Sequence, residues 1–265
     1  MHWIYDIPLW ALATLLLSLS VLYAAGAVFL VRRLRWRLDA DDNATAAALH
    51  AFIGVLYAVA LGLMVAAAQD DNSDVEQAVS AEANAAANLF RAAGGLEPAN
   101  ALAIRRDVAR YVELVIRDEW PATQHARVSL PTWRATDRLA REVFTFQPST
   151  PREARMDPML MQDMEDLLNA RRERLDLGQH GVGGVTWVVI VLGGLITIGF
   201  PAFFLMGNLR AHLLLTCLAA AMFGLMIFLL LAMDHPLWGR VSIQPDPFVD
   251  LQQSFVRQHQ EEVSP

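Results

Sequence analysis

Residues 50–95 read HAFIGVLYAVALGLMVAAAQDDNSDVEQAVSAEANAAANLFRAAGG. The first part of the stretch is apolar and carries no acid and no arginine. A span of about 20 apolar residues crosses a hydrocarbon core of about 30 Å. The second part turns polar but keeps a helical rhythm, with Val75, Val79, Ala86, Leu89 and Phe90 at near-helical spacing. Neither proline nor glycine interrupts it before Gly94-Gly95. The stretch therefore predicts one helix that crosses a bilayer and continues beyond it.

Three further segments pass the same test. With about Ala46–Gln69, the spans are Ile7–Val31, about Val185–Met206 and Leu213–Met233, and none holds Asp, Glu or Arg. In lipid every backbone polar group needs an internal partner, so runs this long and this uniformly apolar are helices and not barrel strands. Arg32–Thr45 and Gly207–His212 are short linkers and make two hairpins that open toward the same side. The expected fold is an all-α membrane protein: four transmembrane helices in two hairpins, with a helical extramembrane insert between the second and third. The expected divisions are 1–69, 70–184, 185–233, and a short polar tail, 234–265, read as extended.

Composition agrees. The chain has 265 residues, is 55% hydrophobic and only 18% charged, and has a net charge of −7. All 21 basic residues are arginine. No basic stripe exists to displace counterions from phosphates, which argues against nucleic-acid binding. The one cysteine, Cys217, cannot form an internal disulfide, and no Cys/His spacing suits zinc. The N-terminus lacks a basic n-region, so the first run reads as a retained helix.

The insert reads as helices. One ends at Gly94-Gly95. A second runs from Pro98 to Glu119 with Ile104, Val108, Tyr111 and Val115 on one face, and Trp120-Pro121 is expected to stop it. Pro131–Phe146 makes a third. Thr150-Pro151-Arg152-Glu153 starts a fourth as a capping box, running to Gly178 with Pro158 inside it.

Arg32, Arg33, Arg35 and Arg37 follow the first span, and Arg210 lies in the second hairpin's linker. The positive-inside tendency puts these linkers in the cytoplasm, so the insert and both termini are expected in the periplasm of a bacterial inner membrane. Arg171, Arg172 and Arg174 precede the third span and argue the other way, but long loops weigh little in that rule.

Several constellations are candidates for function. Gly54, Ala58, Gly62 and Ala66 form a small-residue stripe, which reads as ordinary helix packing or as an oligomer seam. Phe52, Leu56, Val59 and Leu63 fall roughly opposite. They read as lipid or core contacts or, in a ring of subunits, as an apolar line facing a pore. His50, His180, Asp234 and His235 are titratable groups near the membrane interfaces, solvated there or gathered between the hairpins. Glu82, Arg91, Glu119, Arg171 and Arg174 are candidates for an ion-pair network in the insert; Arg171 and Arg174 share a helix face. No nucleophile elbow, phosphate loop, zinc-protease motif or dinucleotide fingerprint occurs, so neither an enzyme nor a cofactor is expected.

The order of several motifs resembles one family. They are Gly54-Val55-Leu56-Tyr57-Ala58-Val59, Glu82-Ala83-Asn84, Leu89-Phe90-Arg91, Glu119-Trp120-Pro121, Thr150-Pro151-Arg152-Glu153-Ala154 and Ala170-Arg171-Arg172-Glu173-Arg174-Leu175. Met233-Asp234-His235-Pro236 follows, with Gly239 and Pro245-Asp246-Pro247-Phe248. The chain is similar in these to the bacterial bestrophin-like family, four-span membrane proteins carrying a domain of unknown function. The family name implies likeness to bestrophins, pentameric anion channels whose second helix lines the pore. The resemblance implies a homo-oligomer, pentameric by analogy, that passes small ions, with Phe52, Leu56, Val59 and Leu63 at the neck. Two features depart from bestrophins. The Tyr57 region is rich in Ala and Gly where a bestrophin neck is aromatic, and the arginines place the insert on the non-cytoplasmic side. The alternative is a non-conducting envelope protein whose insert is an interaction or sensing module.

Overall fold

A computed structural model describes residues 7–36, 38–179, 181–239 and 242–263. Among them there is no strand. The helices are α1 (Leu9–Leu34), α2 (Ala40–Ala93), α3 (Pro98–Leu114), α4 (Trp120–Gln124), α5 (Leu130–Phe144), α6 (Pro151–Leu177), α7 (Gly184–Gly199), α8 (Leu209–Met233) and α9 (Asp246–Val263). A π-helical turn, Val115–Glu119, joins α3 to α4, and a 3-10 turn, Phe200–Phe203, follows α7. Four helices are long and apolar enough to span a bilayer: α1, α2, α8 and α7 with its 3-10 extension. α2 runs 54 residues without interruption, as the sequence predicts.

The chain divides into two compact units. One comprises Trp3–Asp70 and Gly181–His235, the other Asp71–His180 and Pro236–Pro265.

In the first unit, α1 packs chiefly on α8. Gly224 permits the close approach: a Cβ there would lie 3.2 Å from the Cα of Leu17. Small residues at such crossings let apolar helices gain dispersion contacts that lipid alone does not supply. Ala24, Ile198 and Ala220 continue the contact. Two tyrosines tie α7 in place. Tyr23 donates to the Leu195 carbonyl at 3.0 Å and Tyr57 to the Ile190 carbonyl at 2.6 Å.

The second unit has a core of its own. Val75, Val79, Ala86 and Leu89 of α2 meet Ile104, Val108 and Tyr111 of α3, Leu139 and Val143 of α5, and Leu160, Met164 and Leu167 of α6. Half of the capping box forms: Thr150 Oγ1 accepts from the Glu153 N–H at 3.2 Å, while the Glu153 carboxylate accepts from the Ser149 N–H at 2.9 Å, one residue before the cap.

Two expectations are corrected. Trp120-Pro121 does not stop its helix. The Trp120 N–H donates to the Val115 carbonyl, five residues back, and that wider turn makes room for a proline ring that would crowd a regular helix. The tail is not extended either. It is helical from Asp246, because Phe248, Leu251 and Phe255 share one face and join the core of the second unit. Phe255 stacks on Phe90, ring centroids 4.0 Å apart.

Candidate functional site

The membrane part of α2 has three faces. Tyr57, Leu61, Met64, Val65 and Ala68 pack into a cluster with Ile190, Ile227 and Leu230. The inward stripe went unrecognised in the sequence, where apolar residues surround the helix on all sides. Phe52, Leu56, Val59 and Leu63 form a second face, and all four are exposed. Gly54, Ala58, Gly62 and Ala66 form the third, which at about 100° per residue lies beside the second and not opposite it as expected. A Cβ on Gly54 or Gly62 would meet nothing within 4 Å.

The interfacial groups separate. His50 stacks on Phe200 with ring centroids 5.1 Å apart and meets Phe204 edge-on. Asp234 is buried and accepts from the Val182 N–H at 2.6 Å and from Trp187 Nε1 at 3.3 Å. His235 Nε2 lies 3.8 Å from the same carboxylate, and its ring rests against Gly181. His180 and Arg37 lie outside the described residues. One polar cluster was not foreseen. Arg32 of α1 donates to the Met206 carbonyl at 2.8 Å and sits 3.2 Å from His212 Nδ1. His212 Nε2 is 2.9 Å from the Pro201 carbonyl. A carbonyl only accepts, so Nε2 carries the proton and Nδ1 accepts from Arg32.

In the second unit, four of the five charged candidates meet. Glu82 of α2, Glu119 at the end of the π turn, and Arg171 and Arg174 of α6 are at most 3% exposed. Arg171 grips Glu119 with both terminal nitrogens, at 2.8 and 2.6 Å. Arg174 bonds Glu82 through Nε and Glu119 through Nη2. Tyr111 donates to Glu82. Trp120 lies under the Arg174 guanidinium at 5.2 Å, and Trp133 under Arg171 at 5.4 Å. Two carboxylates and two guanidiniums cancel, which is the condition under which buried charge is tolerated.

The titration behaviour follows. Burial pushes the Glu119 carboxyl up, but the charge of Arg174 and the hydrogen bonds and charge of Arg171 outweigh it and hold it below its ordinary value. Burial, then the Glu82 charge, keeps Tyr111 far above its ordinary value, so it acts as a neutral donor. Burial works against the Arg174 charge, yet Glu82 and Glu119 leave it more firmly protonated than usual.

Arg91 does not join. Nine residues separate it from Glu82, which at about 100° per residue puts it on the opposite face of α2. It is exposed and bonds Asn88 Oδ1 at 2.7 Å. Beside the network lies a cavity of about 630 Å³ whose walls include Trp133, Leu168, Arg171 and Trp238. No metal-holding group of His, Cys, Asp or Glu occurs among the described residues.

Crystal structures of variants of a bacterial bestrophin homolog from Klebsiella pneumoniae share the fold. One aligns with a TM-score of 0.70 at 14% identity, covering 92% of this chain and 99% of that one. A second gives 0.68 at 14% identity, covering 92% and 98%. The crystal structure of another membrane protein gives 0.69 at 14% identity, covering 92% and 97%. No curated protein matches the chain. The Bestrophin-like domain matches residues 18–248, nearly the whole length, and the protein therefore belongs to the bestrophin-like family of membrane proteins.

Proposed function

We propose that the protein is a homo-oligomeric ion channel, pentameric by analogy, with α2 lining the pore and Phe52, Leu56, Val59 and Leu63 forming an apolar constriction. One observation carries the reading: these residues are 57–63% exposed in the single chain, in line along α2, beside a stripe of small residues that is also uncovered. Lipid could cover the large side chains. It does not call for a row of Gly and Ala, which suits the close approach of a second copy. An apolar constriction between copies gates by dewetting. Family membership supports the reading. The reading also places the protein in a bacterial inner membrane, with the insert and both termini in the periplasm, supported by Arg32, Arg33, Arg35 and Arg210 at the hairpin ends.

Purified protein in planar bilayers tests it. Currents that rise in Phe52→Ala and Leu56→Ala are the expected result. Bilayers that stay silent across salts and pH overturn it.

A further inference from the structure

The cavity beside the ion-pair network has a chemistry of its own. Its volume, about 630 Å³, falls in the range of small-molecule sites. Every residue of its wall belongs to the second unit. Trp133 comes from the first turn of α5, and Trp238 from the segment before α9. Leu168 and Leu175 come from α6, two turns apart and so on one face. Trp133 is 46% exposed. Its stacking on Arg171 accounts for that one ring. It does not account for a second indole and two leucines lining the same space.

The buried polar residues of the wall are Glu119, Ser129, Thr136 and Arg171. Glu119 accepts from Arg171 and Arg174, and both hydroxyls bond Thr132. Arg171 is 3% exposed, and among these groups its Nε–H alone has no partner. An unpaired buried donor is costly, and native structures keep few of them. The charge of Arg171 is already answered by Glu119, so Nε offers a hydrogen bond and no net charge. The exposed rim repeats that balance, with Arg127 and Arg172 against Asp137 and Asp176. A charged ligand would give up hydration here without gaining a counter-charge.

We infer that the cavity binds an uncharged small molecule, with a flat ring system against Trp133 and Trp238 and one hydrogen-bond acceptor, such as a carbonyl oxygen, for Arg171 Nε. The inference does not depend on whether α2 lines a pore.

Equilibrium dialysis of the full-length protein in detergent, against the same detergent without protein, tests it with matched probes. 2-Naphthamide is expected to bind saturably, with a Kd on the order of 10–100 μM. 2-Naphthoate, 2-naphthylmethylammonium and naphthalene, which lacks an acceptor, should each bind about tenfold more weakly or worse. Leu168→Trp fills the cavity and Trp133→Ala removes one ring wall. Each should weaken the amide about tenfold, whereas Trp133→Phe should keep most of the affinity. Melting temperature checks that the variants are folded. No saturable uptake of the amide overturns the inference. So does naphthoate or naphthalene binding as tightly as the amide, or an affinity unchanged in both Leu168→Trp and Trp133→Ala.

Discussion

Arg174 and Glu82, 92 residues apart in the chain, are hydrogen-bonded with neither side chain exposed to solvent. Arg174 also bonds Glu119, so one guanidinium neutralises two carboxylates from different elements. Removing it leaves both buried and underpaired. Arg174→Met is expected to cost about 3–5 kcal/mol, the usual range for breaking a buried pair from one side. Arg174→Lys should recover little, because an ammonium cannot make the forked contact. Thermal unfolding in detergent reads both; a loss below about 1 kcal/mol would mean that the network is hydrated in solution.

Glu153 gives a pH dependence with a defined sign. Hydrogen bonds from Ser149, Asn100 and the Glu97 N–H hold its carboxyl down at about 2. A carboxylate held below its ordinary value stabilises the fold in full above that ordinary value and loses the contribution as pH falls through the lowered one. Glu119 is lowered too, so it acts in the same direction. Melting temperature should therefore fall steadily from about pH 4.5 toward about pH 2. Glu153→Ala should flatten part of that slope. A variant with the wild-type slope would show that other carboxylates set it.

The glycine stripe separates folding from assembly. A Cβ at Gly62 meets nothing within 4 Å in its own chain. Gly62→Leu should leave the protomer's helix content and melting unchanged and shift the assembled species to smaller ones in native mass spectrometry. An unchanged distribution would remove the stripe from the seam.

Topology can be read at Val128, which is 71% exposed in the extramembrane unit. In a Cys217→Ala background, Val128→Cys should react with an impermeant thiol reagent on intact cells. Labelling only after lysis would reverse the orientation.

Spans and hairpins were legible because lipid leaves a chain few options, and apolar length alone announces them. Glu82, Glu119, Arg171 and Arg174 could be proposed because charges at helical spacing inside apolar faces need partners. Arg91 was wrongly grouped with them because its phase on α2 was not counted. The tail misled through its prolines: Pro245 and Pro247 begin the last helix instead of preventing one. The Arg32–His212 contact was not readable, since it joins residues 180 positions apart.

The last helix also sets an order of manufacture. Leu237, Phe248 and Phe255 complete a core built mainly from residues synthesised before Gly184, and between the two sets in the chain lie α7 and α8. On the ribosome, then, the second hairpin is translated while the extramembrane unit is still unfinished. Truncation before Asp246 would leave every span present and that unit open, a lesion that quality-control proteases would find outside the lipid rather than within it.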